Sequence, residues 1–167
     1  MKFIHICACL TIITGSPALG QNKGNQIDRI KFYSVVSSGN LKKINAELNS
    51  LKSDFIEGKD AFIGGLLMRK AGLETLPREK LKLFKAGRIK LEKAILEDST
   101  NAEYRFIRLM IQENAPGIVR YHGDLPGDKY YIEKSFKTLS PDLQNAIINY
   151  SKTSKVLKPS DLINENG

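Results

Sequence analysis

Residues 77–116, PREKLKLFKAGRIKLEKAILEDSTNAEYRFIRLMIQENAP, decide how the rest of the chain is read. Leu81, Phe84, Leu91 and Ile95, with Leu83, Gly87 and Ala94 beside them, recur at the three- and four-residue spacing of one helix face. Lys82, Lys90, Lys93 and Glu97 fall on the opposite, solvated side. Asp98-Ser99-Thr100-Asn101 follows, short polar side chains that compete with helical hydrogen bonding and favour turns and caps. From Ala102 to Glu113 the pattern is helical again, with Tyr104, Phe106, Ile107, Leu109, Met110 and Ile111 around most of the circumference. So apolar a helix must be covered on several sides, and the remaining segments are its cover.

Working outward, residues 1–20 predict an export signal and are set aside from the fold. Lys2 supplies the positive start, Phe3 to Ile13 an apolar run broken mainly by His5 and Thr11, and Gly15-Ser16-Pro17 a helix break. Ala18-Leu19-Gly20 puts small residues where an export peptidase reads, so the expected cut leaves Gln21 first and the chain in the periplasm or secreted. An apolar run of about 11 residues is too short to span a bilayer, which takes about 20. Cys7 and Cys9 lie inside it, not at its end where a lipidated cysteine would stand. Both leave with the leader, so the mature chain holds no disulfide and no thiol nucleophile. At about 147 residues it is one domain, able to bury about two thirds of its unfolded surface. Without Lys2, 25 basic residues stand against 18 acidic ones, a charge of +7 spread over every helix. Such a balance suits a solvated surface, or acidic surfaces such as phospholipid headgroups or anionic polysaccharide.

The other segments predict helices too. Residues 21–25 are expected to be flexible. Ile27, Ile30, Tyr33 and Val36 or Val35 define a first helix ending at Ser37-Ser38-Gly39, and Leu41, Ile44, Leu48 and Leu51 a second, antiparallel to it. Ser53-Asp54 with Glu57 is a candidate capping box for a third helix, with a start nearer Asp60 as the alternative. That helix carries Phe62, Ile63, Leu66, Leu67 and Ala71 and ends at Gly72. Gly64-Gly65 inside it is costly and expected where another backbone comes close, or at a kink. After the irregular stretch 115–127, Asp128 is expected to cap a sixth helix with Tyr131, Ile132, Ser135, Phe136 and Leu139 on its apolar side. Ser140-Pro141-Asp142 opens a seventh with Leu143, Ala146, Ile147 and Tyr150. The domain is expected over 26–154, followed by a tail, 155–167, in which Val156, Leu157 and Leu162 can pack back and the last four residues are loose. No stretch alternates with period two. The fold class is all-α, with about seven helices.

Gly87 and Ala94, seven residues apart in the fourth helix, precede the turn at Ser99-Thr100-Asn101 and the helix opening Ala102-Glu103-Tyr104, with Gly64 or Gly65 in the helix before. In this the chain resembles the tetratricopeptide repeat over about residues 60–113. Serine stands where that family usually has proline, and the connection Gly72 to Leu76 with a long fourth helix exceeds its usual unit. The resemblance implies short arrays of antiparallel helix hairpins that bind proteins or peptides on a concave face.

Two clusters are candidate sites. Arg105, Arg108 and Gln112 share one side of the fifth helix, where two guanidinium groups and an amide would suit a carboxylate or sugar acid. The competing reading pairs the arginines with Glu74, Glu79 or Asp98. Tyr121, His122 and Asp124, with Asp128, sit in the long connection, and with Glu113 they give the alternative of a small hydrolase or sugar-active enzyme. Spacing for a metal is lacking, as are G-x-S-x-G and a phosphate loop; no cofactor and no nucleic acid is expected. The expected function is a non-enzymatic exported binding or scaffold module contacting a protein or anionic envelope component. A basic protein held on a membrane surface is a further alternative.

Overall fold

The computed structural model describes residues 26–53 and 55–163. The expected leader, the stretch 21–25, Asp54 of the candidate capping box and the last four residues lie outside them. The described residues form seven α-helices: α1 (Arg29–Ser37), α2 (Leu41–Ser53), α3 (Lys59–Leu73), α4 (Pro77–Glu97), α5 (Ala102–Asn114), α6 (Leu125–Ser135) and α7 (Pro141–Ser151). Short 3-10 turns occupy Gly117–Val119, Phe136–Thr138 and Pro159–Leu162. There is no strand among the described residues, and the protein is all-α.

The local signals explain most of the boundaries. Asp28 caps α1 by accepting from the Lys31 amide, and Asn101 caps α5 by accepting from Glu103 and Tyr104. Pro77 and Pro141 open α4 and α7, where a missing N–H costs nothing. Ser140 stands at its expected N-cap position but its hydroxyl makes no cap bond. α3 starts at Lys59, with Gly58 before it at φ +70°. A Cβ there would fall 1.8 Å from the Tyr104 hydroxyl, so glycine is needed for both backbone angle and space.

α3 and α4 form the tightest helix pair. Gly64 faces Gly87, and a Cβ on either would come within 2.7 Å of the other's carbonyl oxygen. α3 is therefore continuous through Gly64-Gly65, and the glycines mark a close backbone approach, not a kink. α5 packs across this pair with Phe106, Ile107 and Leu109 buried. α6 packs along α5, α2 packs on α3, and α1 lies between α2 and α7, reaching α5 through Tyr33 as α7 does through Tyr150. Edge-on aromatic contacts tie the layers, Phe62 to Phe32 at 5.0 Å and Phe106 to Tyr150 at 5.6 Å, with Tyr33 tilted on Phe106 at 5.4 Å.

Three apolar stripes need correction, the smallest being in α2, where Leu41 at the first turn is 37% exposed while Ile44, Leu48 and Leu51 are buried. In α1 the buried set is Phe32, Tyr33, Val35 and Val36, and Ile30 is 70% exposed. In α4 only Gly87, Leu91, Ala94 and Ile95 are buried, while Leu81 is 49% exposed and Phe84 half-buried. The segment after α7 is more than a tail, because Leu157 and Leu162 belong to the same core as Phe106.

Candidate functional site

The structure brings the two sequence-predicted clusters together, facing each other and not an open groove. Arg108, buried on α5, donates from Nε and Nη2 to the two oxygens of fully buried Asp128, both at 2.7 Å. Its Nη1 donates to Glu92 on α4 at 2.8 Å and lies 3.5 Å from Asp124. Burial works against the Arg108 cation, but the bonds to Asp128 and the charges of Asp128, Glu92 and Asp124 outweigh it and raise its pKa. Gln112 donates to Asp124 at 2.9 Å, and Arg105 donates to Asp128 at 3.1 Å and to the Ser99 carbonyl. Tyr121 is buried, and its hydroxyl donates a short hydrogen bond to Glu92.

The arginine partners are thus Glu92, Asp124 and Asp128, not Glu74, Glu79 or Asp98. Asp128 does not cap α6, which begins three residues earlier at Leu125 after Asp124; it is the buried acid locking α6 onto α5. The residues of the catalytic alternative are engaged separately. His122 Nε2 lies 2.9 Å from the Ala115 carbonyl, and Asp124 is taken by Arg108 and Gln112. Glu113 accepts from the hydroxyls of Tyr150 at 2.6 Å and Ser154 at 2.7 Å and from the Lys155 amide, fastening the C-terminal segment. Burial would raise the Glu113 pKa, yet the bonds from Ser154, Tyr150 and the Lys155 amide hold it below the usual carboxylate value.

The open concavity lies along a different face of α5. It is a groove of about 880 Å³ between the end of α3, the first three turns of α4, the end of α5 and the Gly117–Val119 turn. Its existence follows from helix lengths. α5 turns back along α4 after a tight turn but has 13 residues against 21, so the start of α4 has no α5 beside it. Leu81, Phe84, Met68, Met110, Ile111 and Val119 give an apolar floor, and Ile118 at the mouth is 90% exposed. The charged side chains lining it are Arg69, Lys80, Lys85 and Arg88, all cations. Two of these are held in place. Arg69 Nε donates to the Val36 carbonyl at 2.9 Å, and the Arg88 guanidinium lies over the Tyr121 ring, 4.7 Å from its centroid.

Leu81 and Phe84, expected on the apolar face of α4, line this groove beside Lys80 and Lys85. The signal was present: Lys80, Leu81, Phe84, Lys85 and Arg88 share one face of α4, mixing apolar residues with cations of one sign. Among the described residues no three His, Cys, Asp or Glu side chains converge as metal ligands, and no helix is long and apolar enough to cross a membrane. No protein-family model, curated protein or solved structure matches the chain.

Proposed function

We propose that the protein is a non-enzymatic binding module whose partner, a protein or an envelope component, occupies the groove between α3, α4 and α5. The carrying observation is an apolar floor left open among the described residues: Leu81 and Phe84 project from a helix whose later turns bury Leu91, Ala94 and Ile95, beside the exposed Ile118. An exposed apolar patch of this kind, rimmed by polar groups, marks an interaction site. The polar cluster around Arg108 is the frame, since each of its charged members already has an opposite charge inside the fold. In this reading the leader-like residues 1–20 direct the chain out of the cytoplasm, and the Gly64–Gly87 approach is in keeping with a hairpin packing of the tetratricopeptide kind.

A neutral apolar dye, N-phenylnaphthylamine, tests the groove. Saturable fluorescence enhancement is expected, and Leu81→Asp should weaken it about ten-fold through lost apolar contact. Far-UV circular dichroism should stay unchanged, because Leu81 is half-exposed. Enhancement indifferent to Leu81→Asp in a folded variant would remove the groove from the reading.

A further inference from the structure

We infer that the groove's ligand is a single-chain amphiphile with an anionic headgroup, of the long-chain carboxylate type; this rests on the groove being the binding site.

Charge complementarity points that way. Among the described residues four cations line the groove, and no acidic side chain does. The glutamates of α4 are committed elsewhere: Glu92 to Arg108 and Tyr121, Glu97 to Lys93, and Glu79 near Lys82. Lys80 and Lys85, both exposed, have no ion pair among the described residues. Arg69 and Arg88 are anchored by the Val36 carbonyl and the Tyr121 ring, so their remaining N–H donors are presented with little ordering left to do. Two unneutralised lysines and two braced arginines above an apolar floor fit a molecule that is negative at one end and hydrocarbon at the other.

Size agrees with a small amphiphile. A small-molecule site spans about 300–1,000 Å³, and this groove falls within that range. A partner helix would have to present an acidic edge to four cations beside its apolar face, whereas an anionic amphiphile supplies both in one short molecule. Met68 and Met110 in the floor add side chains that adapt to a flexible chain.

Isothermal titration calorimetry with the full chain, using laurate below its micelle concentration, tests this against dodecyltrimethylammonium, which has the same tail and the opposite charge. One laurate per chain is expected, bound about ten-fold tighter than the cation. Binding should weaken with added salt, as screening of exposed charge requires. The preference should vanish or reverse in the Lys80→Glu/Lys85→Glu variant, whose exposed positions keep the fold, checked by circular dichroism. Equal affinity for the two amphiphiles, or a preference unmoved by the double variant, overturns the inference. An acidic amphipathic peptide binding one-to-one where laurate does not would also overturn it, leaving a protein partner. If N-phenylnaphthylamine still binds in a Leu81-dependent way in either case, the groove stands and only its ligand class falls. If none of the probes binds, both readings fall.

Discussion

Asp128 has no exposed surface and accepts from two arginines, which makes it the residue on which the frame most depends. Removing the Asp128 carboxylate strips buried Arg108 of its two shortest bonds and leaves it only Glu92 and Asp124, a loss of about 3 kcal/mol, the low end for a broken buried pair. Asp128→Ala is expected to lose that much in urea denaturation, and Arg108→Met combined with Asp128→Leu should lose clearly less, because no charge is then stranded at the pair. A double variant as unstable as the sum of the singles would mean that the two side chains act independently. The spacing of Arg105, Arg108 and Gln112 made their common side of α5 legible, since it depends only on helix geometry. Their partners were not legible. Asp124 and Asp128 reach them across an irregular connection, closed by Arg120 at φ +48°, whose path no periodicity specifies. Asp128 also resembled a cap because an acid before an apolar run ordinarily is one; Leu125-Pro126 starts the helix earlier and turns it inward.

Among the elements, the α3–α4 pair gives the sharpest steric prediction. Gly64→Ala gains about 1 kcal/mol of helix propensity, but its methyl would sit 2.7 Å from the Gly87 carbonyl oxygen and 2.8 Å from the Leu91 amide nitrogen, both backbone. Neither can step aside without separating the helices, so a net loss of about 1–3 kcal/mol is expected in chemical denaturation. Gly72→Ala is the control, since nothing lies within 4 Å of the added methyl and its sign should be neutral or favourable. Stability unchanged in Gly64→Ala would mean that the close approach contributes little. The glycine pair was readable in advance as a contact because a helix rarely keeps two glycines without reason. Ile30 faces solvent because the neighbours of α1 touch it over a wide arc centred on Phe32 and Val36, and a nine-residue helix offers too few turns for one stripe to stand out. α4 was read correctly as a helix from Pro77 to Glu97, yet the pattern of Leu81 and Phe84 looks the same whether or not another helix covers them.

For the molecule as a whole, four tyrosines report on integrity. Burial raises the pKa of Tyr33, Tyr104, Tyr121 and Tyr150, and the carboxylates of Glu103, Glu92 and Glu113 add to it at Tyr33, Tyr121 and Tyr150 respectively. A raised phenol pKa means that the folded state favours the neutral ring. That contribution is complete below the unfolded value of about 10 and is lost as pH rises through the raised folded values. Alkaline titration should therefore show phenolate absorbance from these tyrosines appearing together with loss of helical ellipticity. Tyr121→Phe, with no phenol to ionise, should move that alkaline transition to higher pH. Phenolate from the buried set rising well before ellipticity falls would contradict the placement of these rings.

Tyr150 belongs to two systems at once: its ring forms part of the groove wall, and its hydroxyl rests on Glu113 beside Ser154 and Lys155. A guest that stiffens that ring would also steady the fastening of the segment that carries Leu157 and Leu162 into the core, and loosening that fastening would reshape the guest's berth. If the groove is filled as proposed, its occupancy and the seating of Leu157 and Leu162 are linked through one ring, and each would strengthen the other.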